Sequence, residues 1–79
     1  MPLGMSRARL IQALDEAERH ITSSAHQIER QRQIIRELES AGPGQSTTAE
    51  TARALLASME RAHKGYIEER ETIRQSLAR

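Results

Sequence analysis

The sequence predicts an all-α fold: an antiparallel two-helix hairpin of coiled-coil character that dimerises into a four-helix bundle. Three observations carry this. A four-three stagger runs without a slip through Leu10, Leu14, Ala17, Ile21, Ser24, Ile28, Gln31, Ile35 and Leu38, the seam of a helix built to lie along another helix. A second stagger follows at Ala52, Leu55, Met59, Ala62, Tyr66, Glu69 and Ile73, widened by Leu56 and Leu77. Between the two sits Ser40-Ala41-Gly42-Pro43-Gly44, which supplies a Gly for a left-handed helix end and then a Pro that cannot continue the helix.

Each element has its own justification. Residues 1–5, with Pro2 and Gly4, are expected to form an irregular leader, and Met5 is a second candidate for the native start. The single helical hairpin is expected over 6–78. Helix 1 is placed at about 6–41 with Ser6 as its N-cap, although Arg7 and Arg9 carry the wrong sign for the positive end of a helix dipole. Exposed positions hold strong helix formers such as Glu16, Glu18, Arg19, Glu29, Arg30, Arg36 and Glu37, and Asp15 with Arg19 forms an (i, i+4) pair. A turn at 42–46 is short enough to make the helices antiparallel neighbours. Thr47 with Glu50 reads as a capping box, so helix 2 is placed at about 47–78. Gly65 inside helix 2 costs about 1 kcal/mol against Ala, and close approach of a neighbouring helix is the simplest reason for it. Each helix would be about 50 Å long.

Folding the chain on its turn pairs Leu38 with Ala49, Ile35 with Ala52, Ile28 with Met59, Ile21 with Tyr66, Leu14 with Ile73 and Leu10 with Leu77. Between these apolar layers fall Gln31 with Leu56, Ser24 with His63, and Ala17 with Arg70. Two helices cannot enclose such a seam. Ile11, Ile34, Leu56 and Ile67 lie beside it and leave an apolar strip for a second partner. The expected interface residues are therefore Leu10, Leu14, Ile21, Ile28, Ile35, Leu38, Leu55, Leu56, Met59, Tyr66, Ile73 and Leu77, and the expected partner is a second copy of the chain, with another helical protein as the alternative.

Composition narrows the functional classes. A chain of 79 residues with 37% hydrophobic content makes one small domain that needs a staple. It has no Cys, so neither a disulfide nor a thiolate metal site can provide one, and oligomerisation is the remedy left. Tyr66 is the only aromatic residue, which removes the stacking platforms of single-stranded nucleic-acid binders. Net charge is +1, and it is evenly spread: residues 1–42 carry six Arg against six Asp or Glu, and 43–79 carry six Arg or Lys against five Glu. Neither half has the footprint of a nucleic-acid binder. No secretory signal and no membrane-length apolar run is present, so a cytoplasmic location with no membrane contact is expected.

One polar layer at mid-rod deserves a chemical test. His20, Ser24, His63 and Tyr66 converge there if the register holds, with Glu16 one turn below His20. Two His and a carboxylate on facing helices are one way in which bundles hold a metal, and His20, His63 and Glu16 are the candidates. The second carboxylate and the paired Glu-x-x-His pattern are missing, so no metal and no cofactor is expected, and the layer is expected to fix register and orientation instead. Ser24 with His63 would lack oxyanion donors in a continuous helix, so no catalytic residue is assigned and the chain is not expected to be an enzyme. His26 lies opposite the seam, in solvent. Arg30, Arg32 and Arg36 have Glu29, Glu37 and Glu39 beside them and are expected on a solvated face; with Arg7 and Arg9 they form the alternative, a small nucleic-acid-binding regulator.

The chain also resembles short bacterial helical-hairpin proteins of unassigned function. The residues that carry the resemblance are Ala17-Glu18-Arg19-His20-Ile21, Arg30-Gln31-Arg32 with Ile34, Ile35 and Leu38, Thr51-Ala52 with Leu55-Leu56, and Arg70 with Ile73 and Leu77. The resemblance implies the hairpin fold and no activity; in such proteins the position of Tyr66 is more often His. The function expected is that of a self-associating structural or protein–protein interaction module.

Overall fold

The computed structural model describes residues 6–79, and the expectations made for the leader lie outside them. Helix α1 spans Arg7–Ser40, a 3-10 turn spans Pro43–Gln45, and helix α2 spans Ser46–Ala78. Among the described residues there is no strand, and the two helices pack against each other along their whole length. The result is a rod of 60 × 19 × 14 Å. Its radius of gyration is 17.7 Å, against about 12 Å for a compact domain of the same length.

The start of α1 is capped as its sequence requires. Ser6 has extended backbone, and its hydroxyl oxygen accepts from the Arg9 N–H at 3.2 Å. At the other end Ala41 stays helical and donates its N–H to the carbonyls of Glu37 and Leu38. Reversal of the chain falls on Gly42, at φ 98° and ψ −175°, the only positive-φ residue among those described. That conformation is open almost solely to Gly. The entry to α2 differs from expectation: Thr47 forms no capping box, because the 3-10 turn runs directly into the helix. The Gln45 N–H bonds to the Gly42 carbonyl and the Ser46 N–H to the Pro43 carbonyl. Thr47 is already helical there, and its carbonyl accepts from the Thr51 hydroxyl.

The seam of α1 runs as its stagger dictates, with Ala17, Ser24, Ile28, Gln31 and Ile35 buried. The seam of α2 needs a correction. It passes through Ala49, Ala52, Leu56, Met59, His63, Tyr66, Arg70, Ile73 and Leu77, while Leu55, Ala62 and Glu69 are exposed. An antiparallel neighbour meets the four-three stagger of α1 in reverse, so the facing helix must step three-four from Ala49. Apolarity alone does not separate Leu55 from Leu56 and favours Ala62 over His63, which sets the expected stagger one position off that path. The layer pairing of Ser24 with His63 is confirmed by their hydrogen bond.

Gly42→Ala is expected to lower stability by ~1–3 kcal/mol. Gly44→Ala, whose added methyl meets nothing within 4 Å, should stay within about 0.5 kcal/mol of the parent. Urea unfolding followed by circular dichroism reads both, and equal losses would remove the backbone account.

Candidate interaction site

Among the described residues no large side chain is fully buried, and the buried apolar core consists of Ala17, Ile28, Ile35, Ala49, Ala52 and Ile73. Leu10, Leu14, Ile21, Leu38, Leu56, Met59, Tyr66 and Leu77 are half-buried on the seam. Among the described residues four large aliphatic side chains lie outside it: Ile11 and Leu55, each 53% exposed, with Ile34 and Ile67. The expected apolar strip thus contains Leu55 in place of Leu56. It is also divided between the two sides of the rod, and those sides differ in kind.

One side is closed by charge. Glu18 pairs with Arg74 at 3.6 Å, Arg32 with Glu60 at 3.2 Å and Glu39 with Arg53 at 2.9 Å, each across the two helices. These rungs keep heptad spacing, and the fourth position of the row is filled by Ala25 and Ile67. Ile11 lies one heptad before Glu18 on the same row. Each exposed pair stabilises by at most about 1 kcal/mol, but the ladder covers the seam on that side. The paired charges were not anticipated from sequence. Their signal was present, since the antiparallel register places opposite signs at every charged rung.

On the other side the rows that flank the seam carry almost no charge. Its heptad row on α1 is Ala13, His20, Gln27 and Ile34, and on α2 it is Thr48, Leu55, Ala62, Glu69 and Ser76. Beside that row α2 places Thr51, Ser58, Gly65 and Thr72, so one face of the helix is lined by small residues. A Cβ built on Gly65 meets nothing within 4 Å, so α1 is not the close neighbour that this glycine serves.

The mid-rod polar layer resolves into two separate pairs. Ser24 is buried; its hydroxyl contacts the Ile21 carbonyl at 3.1 Å and Nδ1 of the half-buried His63. When the hydroxyl donates to Ile21, His63 must carry its proton on Nδ1 and donate to Ser24. His20 turns away from this bond and stacks on Tyr66, with ring centroids 5.0 Å apart and planes tilted by 39°. Glu16 is exposed, and among the described residues no three His, Asp or Glu side chains converge as a metal site. One layer toward the turn, buried Gln31 donates from Nε2 to the Ala52 carbonyl at 2.9 Å. His26 is exposed on the outer side of α1.

The arginines of the alternative surface do not act together. Arg7 donates to the Leu77 carbonyl at 3.2 Å, while Arg32 and Arg36 both pair with Glu29, Arg32 also with Glu60. Arg9 and Arg30 have no ion-pair partner among the described residues. No described helix is long and apolar enough to cross a membrane. No family model, curated protein or solved structure matches the chain.

Gln31→Leu is expected to raise the urea midpoint, because the Ala52 carbonyl keeps its place in the helix ladder while an apolar side chain enters the seam. The same change should broaden the oligomer distribution in size-exclusion chromatography, since a polar seam residue that specifies register is lost. A lower midpoint with an unchanged single species would contradict both statements.

Proposed function

We propose that this chain is a self-associating helical hairpin that works as a structural or protein–protein interaction module in the cytoplasm. The observation that supports this is the exposure of Leu55 and Ile34 on a side of the rod without covering charge. Removing apolar surface from water is worth ~25 cal/mol per Å². A hairpin with so small an enclosed core needs such burial to hold two helices of 34 and 33 residues. Two hairpins stacked side on side make a four-helix bundle, the arrangement in which each seam gains a second wall.

Light scattering over a concentration series, with helicity followed in parallel, tests this directly. The expected outcome is a dimer that loses helicity as it dissociates on dilution. A monomer that stays fully helical at micromolar concentration would defeat the proposal. Steeply salt-dependent binding of RNA or DNA, lost in Arg9→Ala and Arg30→Ala, would instead transfer the function to the arginine faces.

A further inference from the structure

We infer that the weakly charged side of the hairpin docks a second copy of itself, laid antiparallel about a twofold axis that crosses α1 at Ser23, perpendicular to the rod. The inference rests on the self-association proposed above and adds the face and the register. Its evidence is a row of charges. Beside Ala13, His20, Gln27 and Ile34, on the outer edge of the same face, α1 carries Arg9, Glu16, Ser23, Arg30 and Glu37 at heptad spacing. Laid on its own reverse, this row sets Arg9 against Glu37, Glu16 against Arg30, and Ser23 against itself. All four charges are exposed, and none has an ion-pair partner within the hairpin among the described residues. On the opposite side the six charges of the ladder are all paired internally. Charges matched by their own reversed copy make an isologous contact, in which one patch serves both partners.

Helix α2 provides a check that was not used to set the axis. Ser24 faces His63 across the seam, so an axis at Ser23 passes α2 beside Lys64. Inverting α2 about that level brings Ala62 within one position of Gly65 of the second copy and Leu55 within one position of its Thr72. Arg61 then falls within one position of Glu68, two further charges without an internal ion pair among the described residues. The Ala62–Gly65 crossing lets two helix backbones approach closely, which accounts for a glycine that α1 does not require. On α1 the same axis brings Ile34 within one position of Ala13.

Single-cysteine variants test the face, since the chain has no Cys of its own. Treated with a short bismaleimide, Ser23→Cys should be captured as a covalent dimer and Ile67→Cys, on the ladder side, should not. Charge variants at exposed positions test the register. Arg30→Glu should weaken assembly about tenfold or more in sedimentation equilibrium, and Glu16→Arg/Arg30→Glu should restore it to within about threefold. Circular dichroism at saturating concentration confirms that the variants remain helical. If the parent assembles but links through Ile67→Cys rather than Ser23→Cys, or ignores Arg30→Glu, the face is wrong while self-association stands. A parent that is monomeric at every concentration removes both.

Discussion

Two helices laid side by side share a single seam, and a seam has two open sides. Every feature of this hairpin answers that constraint. Its core is a line of layers rather than a volume, so only small or central side chains such as Ala17, Ala49 and Ile35 leave solvent completely. The cross-helix ion pairs close one side without adding apolar surface. The other side has no ion pair across the seam to close it among the described residues, and Ile34 and Leu55 stand open there. The asymmetry is what supports the proposal that a second hairpin covers the open side.

The polar residues on the seam act on geometry more than on stability. Gln31 and Ser24 each hold a partner on the opposite helix, at the Ala52 carbonyl and at His63. A slide of one helical turn would strand both groups in a largely dry seam, which costs about 1–3 kcal/mol for each buried group left unpaired. Apolar layers of Ile, Leu and Met tolerate such slides far better. The stack of His20 on Tyr66 is a second contact between the helices at mid-rod, beside the layer of Ser24 and His63.

Much of this architecture was legible in the residues. The stagger from Leu10 to Leu38, the Gly42-Pro43 stop and the antiparallel pairing of Ser24 with His63 follow from periodicity and turn chemistry alone. The path of the seam on α2 was less legible, because Leu55 and Leu56 are equally apolar and only the reversed stagger of the opposite helix separates them. The capping box at Thr47 was a local signal overridden by a turn that had already used the nearby N–H groups. The central layer was placed correctly as a neighbourhood, but how its four side chains pair depends on ring orientation, which spacing does not encode. The ion-pair ladder needed the register first and the charges second.

The tight reversal at Gly42 has a kinetic consequence. It brings Leu38 to Ala49 and Ile35 to Ala52 after closing only a short loop, and these layers contain some of the best-buried residues in the chain. Loop closure grows more costly only slowly with length, yet each layer formed shortens the loop for the next. Closing the seam outward from the turn is therefore the order with the lowest loop-closure cost. In that order the contact between Arg7 and the Leu77 carbonyl lies farthest from the starting point.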